Sequence, residues 1–130
     1  MKLILYSHAV QAGFPSPADD YKEGALSLDD HLIEHPAATY LARAAGDSME
    51  GVGIFDRDLL VIDRALEPVQ GDVIVVALDG ELTCKILDKK HQRLLAANPD
   101  FRPIPILNEQ SLVIEGVVKA SIRYHRKQPC

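Results

Sequence analysis

The chain has 130 residues, 47% of them hydrophobic and 25% charged, the balance of one soluble globular domain with a single core. Nineteen acidic side chains against fourteen Lys and Arg leave a net charge of −5, which argues against direct duplex DNA binding, where a cationic face must neutralise phosphates. The two cysteines, Cys84 and Cys130, lie outside any CxxC pair or histidine cluster, so zinc and a disulfide framework are both unexpected and a reduced, cytoplasmic compartment fits.

The amino terminus, MKLILYSHAVQAG, holds one lysine and a short apolar run from Leu3 to Tyr6. That run is shorter than a secretory core of about 7–15 residues and far short of the roughly 18 needed to cross a bilayer. It reads as neither signal nor anchor, and no membrane partner is expected. Residues 1–24 read as a flexible arm, with Gly13, Pro15, Pro17 and Gly24 spread among polar residues and no sustained period. The two prolines push Phe14 and Ser16 toward extended geometry. In SLDDHLIEHP, Ser27 precedes Asp30 at capping-box distance, Leu28, Leu32 and Ile33 share a face, and Pro36 stops the run. One short helix is expected there.

Everything after Pro36 reads as β, with strands expected over 38–44, 58–63, 72–78, 81–88, 92–97 and 111–124. Asp79-Gly80 supplies a two-residue hairpin turn between the third and fourth of these. Gly116 marks a bulge or bend in the last. Short strands at this spacing, with one small helix and an extended amino-terminal arm, predict a mainly β, compact and curved fold.

The stretch RAAGDSMEGVGIFDRDLLVID places Ser48 in a glycine-bounded turn ahead of a strand. Two readings stay open on local sequence: an N-cap hydroxyl, or a nucleophile beside free backbone N–H groups that would hold an oxyanion. A serine needs a base to take its proton. The histidines do not suggest one. His31 and His35 are spaced i, i+4 in the expected helix but lack an HExxH pattern, so no metal is expected, and His8, His91 and His125 lie in the arm, a polar turn and the tail.

Lys85 stands out instead, mid-strand in ELTCKIL, on the face shared by Thr83 and Leu87, with Leu82, Cys84 and Ile86 on the other. It is either an exposed edge-strand gatekeeper or an enclosed base. A free lysine amine titrates near 10.4, and working as a base near neutrality takes roughly 3–5 kcal/mol of differential solvation, so the second reading demands a site closed by apolar surface.

Taken together, AGFPSPADDY, HPAATYLARAAGDSMEGVGIFDRDLLVID, GDVIVVALDGELTCKIL and GVVKASIR strongly resemble the UmuD/MucA family, the SOS-mutagenesis relatives of the LexA repressor's carboxy-terminal peptidase domain. The resemblance runs in order from about residue 10 to residue 123. It implies the curved β-fold shared by that domain and signal peptidase, over residues 25–130, with the self-cleavage site in the 1–24 arm. It implies a serine–lysine dyad of Ser48 and Lys85, with no cofactor, and self-cleavage at Ala12-Gly13. The oxyanion would fall to the N–H groups of Asp47 and Ser48. It further implies a homodimer, cleavage on meeting a RecA filament on single-stranded DNA, and a product that serves a UmuC-like, Y-family translesion polymerase. A different class, a binding module with the fold but without useful peptidase activity, is the alternative. A LexA-like repressor finds no room for a helix-turn-helix before residue 13, and a signal peptidase would need a membrane anchor. The arm is shorter than in the best-known members, and Phe55 and Arg57 stand where smaller or more polar residues are usual.

Overall fold

The computed structural model describes residues 1–6, 22–107 and 112–127, so Ala12, Gly13 and Cys130 lie outside the described residues. The chain divides into two compact units, Met1–Glu34 and His35–Cys130.

The first unit corrects the reading of residues 1–24 as an arm without elements. Strand β1 (Leu3–Tyr6) pairs antiparallel with β2 (Lys22–Leu26), with Leu3 opposite Leu26 and Ile4 opposite Ala25. The expected boundary at residue 24 therefore falls inside a strand. Four apolar residues are too few to display a period, yet enough to pair once a second segment supplies the ladder. Helix α1 (Leu28–Leu32) follows, and Ser27 caps it as expected by accepting from the Asp30 N–H at 3.4 Å. Asp29 and Asp30 in the first turn complement the dipole. The helix ends before His35, so His31 and His35 do not share a helical face.

The second unit is a seven-stranded antiparallel sheet in the order β3-β4-β9-β5-β6-β7-β8. Its strands are β3 (Thr39–Arg43), β4 (Leu59–Asp63), β5 (Val73–Leu78), β6 (Glu81–Asp88), β7 (Arg93–Leu95), β8 (Ile104–Pro105) and β9 (Leu112–Ile122). All the expected strands are present, β7 shorter than expected; β8, only two residues long, gives no pattern to read.

Two local features set the register and the curvature. Asp79 and Gly80 close the β5–β6 hairpin with φ of 51° and 87°, the paired positive values of a type I′ turn. The register of β9 slips twice: Val75 and Val76 face Gly116 and Ile114, and Val61 and Ile62 face Ala120 and Val118. Each extra residue bends the strand. Gly116 is required there, because a Cβ would stand 2.5 Å from Ile62 Cγ2 at a φ of +150°.

Strand alternation splits the core into two clusters. Met49, Ile54, Leu60, Ile62 and Val75 form one; Ile74, Val76, Leu87, Leu94 and Val117 form the other. Consecutive residues Ile74, Val75 and Val76 thus serve different clusters. Together they make the mainly β, curved architecture that the sequence predicts.

Candidate active site

The Ser48 turn is pinned at several points. Beyond β3, Ala44 and Asp58 are joined by an N–H to C=O bond of 2.8 Å, and Arg57 returns its N–H to Ala44 O at 2.8 Å. Gly46, at φ 88°, donates its N–H to Asp56 Oδ1 at 2.8 Å. Met49, only 3% exposed, anchors the turn in the first core cluster. A short 3-10 turn over Glu50–Val52 follows, and it carries no side-chain cap. Ser48 is therefore not the cap of that turn.

A distant segment completes the clamp. Ala97 donates its N–H to Ser48 O at 2.7 Å and accepts from Gly51 N–H at 2.7 Å, while Asn98 Nδ2 donates to Asp47 O at 3.0 Å. Among the described residues, Ser48 Oγ makes no hydrogen bond, and the N–H groups of Asp47 and Ser48 have no protein acceptor. Donors left open in a fixed turn are what an oxyanion hole requires. Ser48 is half-buried and lies on the wall of a cavity of about 210 Å³, with Met49, Ile54, Leu60, Val75 and Cys84 among its apolar lining.

Lys85 sits opposite Ile74 in the β5–β6 ladder and is only 8% exposed. The exposed-gatekeeper reading fails on that burial, although β6 pairs with β7 only over Ile86–Asp88, just beyond Lys85. The Phe101 ring covers the amine, with Nζ 5.5 Å from the ring centroid. Among the described residues no carboxylate pairs with Lys85. The neighbouring Cys84 thiol is pushed up to about 11 by burial, against a smaller downward pull from the Lys85 charge.

Segment 97–101 thus serves both candidate residues: Ala97 and Asn98 hold the Ser48 turn, and Phe101 roofs Lys85. Residues Leu82 to Cys84 of β6 line the Ser48 cavity, with Lys85 next in the strand. No hydrogen bond joins Ser48 Oγ to Lys85 Nζ in this conformation. Sequence reasoning missed Gly51, Ala97, Asn98 and Phe101, whose roles depend on contacts up to 51 residues away. The one available signal was an aromatic residue in the proline-flanked run NPDFRP.

Two histidines, His35 and His91, are engaged elsewhere. His35 Nδ1 lies 2.7 Å from Asp63 Oδ2, and that hydrogen bond holds the fully buried Asp63 carboxyl below the usual carboxylate range. His91 and Arg93 both contact Asp88. No group of three or more His, Cys, Asp or Glu is placed to hold a metal among the described residues.

The sequence profile of the Peptidase S24-like family matches residues 4–119. The chain belongs to that family. Protein SamA of Salmonella typhimurium (strain LT2) is 45% identical over 123 residues, covering 94% of this chain and 86% of SamA. Protein ImpA of Escherichia coli is 41% identical, covering 95% and 85%, and protein MucA of Escherichia coli is 38% identical, covering 92% and 84%. The UmuD/MucA resemblance read from the motifs is thereby established at the level of the family. Among the described residues, no helix is long and apolar enough to cross a membrane.

Proposed function

We propose that this S24 family member is a self-cleaving serine peptidase, cut at Ala12-Gly13, whose shortened form serves an error-prone polymerase. Ser48 Oγ would attack the Ala12 carbonyl carbon while its proton passes to the Lys85 amine. The Asp47 and Ser48 N–H groups would hold the oxyanion. The Gly13 nitrogen would leave with a proton from the lysine, and water would then release the Ala12 acyl group from the serine. The observation that carries this reading is Lys85: a buried amine without a carboxylate partner among the described residues, roofed by Phe101 beside the cavity that holds Ser48.

The dyad need not be closed in the uncut chain. Catalytic hydrogen bonds are often long until substrate docks. Small Ala12 and Gly13 permit close approach, and the prolines at 15 and 17 favour an extended pose. A RecA filament on single-stranded DNA would only shift the arm toward that pose. The kinship with SamA, ImpA and MucA supports an SOS role at the level of the family, and on the UmuD/MucA resemblance we extend it to a cytoplasmic homodimer acting with a Y-family translesion polymerase. The missing Ser48–Lys85 hydrogen bond favours one second reading, a dimeric binding module with little peptidase activity.

Incubation of the full chain at alkaline pH, or with RecA, single-stranded DNA and nucleotide, separates the two. The expected result is a new amino terminus at Gly13, faster as pH rises from mildly acidic to alkaline, and absent in Ser48→Ala and Lys85→Ala. Cleavage that persists in both variants, or is flat across that pH range, overturns the dyad.

A further inference from the structure

Beside the Ser48 cavity lies a second cleft, of about 790 Å³, and Arg43 lines both. Five of the chain's fourteen Lys and Arg side chains line this cleft, but only two of its nineteen acidic ones. The two carboxylates are already engaged. Asp58, 3% exposed, takes two hydrogen bonds from Arg123, at 3.1 and 3.0 Å. Asp56 accepts from Gly46 N–H and lies 3.9 Å from Arg57 Nε. Arg43, Arg126 and Lys127 are exposed and have no carboxylate partner among the described residues. On a chain of net charge −5, this is a concentrated local reversal of sign.

Two partly exposed aromatic side chains lie among these charges, Phe55 at 37% and Tyr124 at 43% exposure. Arg123 lies over the Phe55 ring at 3.8 Å and fixes it, with a second bond to Gly53 O at 2.8 Å. The cleft therefore presents cations together with two partly exposed aromatic rings, one of them, Phe55, held by Arg123. A polyanion of carboxylates would use the charges but not the rings. A single-stranded nucleic acid uses both, since every base has a face to stack and every link a phosphate to neutralise.

We propose that this cleft binds single-stranded nucleic acid, with Arg43, Arg57, Arg126 and Lys127 on phosphates and Tyr124 and Phe55 against bases. A single strand can offer unpaired bases to the two rings, and the acidic balance of the rest of the chain disfavours a duplex. The site does not depend on the peptidase reading, so Ser48→Ala should bind unchanged.

The test is fluorescence anisotropy of a labelled oligothymidylate of about 15 nucleotides against the full chain, from 50 to 200 mM salt. Four neutralised phosphates predict a log–log salt slope of about −3, at roughly −0.7 each. Combining Arg126→Ala with Lys127→Ala should cut the slope by about 1.4. Tyr124→Ala should weaken binding about tenfold with the slope unchanged. All three side chains are exposed, and circular dichroism verifies that the variants fold. No binding at 50 mM salt overturns the proposal. So does polyaspartate of matched length binding as tightly while Tyr124→Ala has no effect, which would make the cleft a dock for acidic protein.

Discussion

Gly51→Ala tests how rigidly the Ser48 turn must be held. An added Cβ would lie 2.5 Å from Ala97 O and 3.2 Å from Ala97 C and Cβ. These are mostly backbone atoms, so no side-chain rotation relieves the contact, and the two segments must part. Parting strains both bonds of the clamp, Gly51 N–H to Ala97 O and Ala97 N–H to Ser48 O, each 2.7 Å. A lost hydrogen bond of this kind is worth about 0.5–1.5 kcal/mol, and crowding in a packed site typically costs about 1–3 kcal/mol. The sum, about 2–4 kcal/mol, is survivable for a domain whose total stability is about 5–15 kcal/mol. It corresponds to a melting temperature lower by about 6–15 °C. A displacement near 1 Å at the proposed nucleophile would also cost about a hundredfold in rate. The assay is thermal unfolding by circular dichroism, alongside the rate at which the Gly13 amino terminus appears. Gly53→Ala is the control: its Cβ meets nothing within 4 Å, and only its φ of +83° opposes the change, at about 1–2 kcal/mol. If Gly51→Ala melts with the parent and cleaves at the parent rate, the clamp does not position Ser48.

Phe101→Ala should open the roof over Lys85 and admit water to the amine, slowing self-cleavage about tenfold or more while costing little beyond the ring's own packing; an unchanged rate means Phe101 does not dry the site. Arg93→Met should lower stability at neutral pH, because Arg93 is the main partner holding the buried Asp88 carboxyl well below its usual range, aided by Gln70 and His91. The sign is fixed by linkage: a depressed carboxyl contributes stability above its unfolded value, near 3.9, and loses it as pH falls toward the folded value. Urea midpoints of parent and variant should therefore differ at pH 7 and converge as pH falls below about 4. A gap that stays constant to pH 2.5 contradicts this assignment.

The sheet was legible wherever local chemistry decides. Asp79-Gly80 can hardly be anything but a hairpin turn, β-branched Val73 to Val76 favours a strand, and Ser27 announced its helix. Gly116 was marked as a bend from sequence, and Ile62 against it explains why. What stayed hidden depends on distant partners. The pairing of Leu3–Tyr6 with Lys22–Leu26 skips fifteen residues, and neither segment has a pattern of its own. At the site, residue type and setting singled out Ser48 and Lys85 but left an N-cap and a gatekeeper open, and only the family resemblance joined them as a dyad, whereas the Ala97–Phe101 segment that clamps one and roofs the other carries no motif. His35 was placed on a helix by its spacing, although the backbone turns out of the helix at Ile33 and the ring goes to Asp63.

The β1–β2 ribbon gives the proposed cut at Ala12-Gly13 a further meaning. While the chain is whole, the two strands are tethered, and closing the link between them costs less than bringing two separate chains together. Once severed, Leu3–Tyr6 can be retained only as a separate peptide, by four paired residues, against dilution into the surrounding solution. An isolated ribbon of that size is marginal even when tethered. Its departure would uncover the hydrogen-bonding rim of Lys22–Leu26, so that one hydrolysis both trims the terminus and unveils a backbone edge ready to receive a strand from another protein.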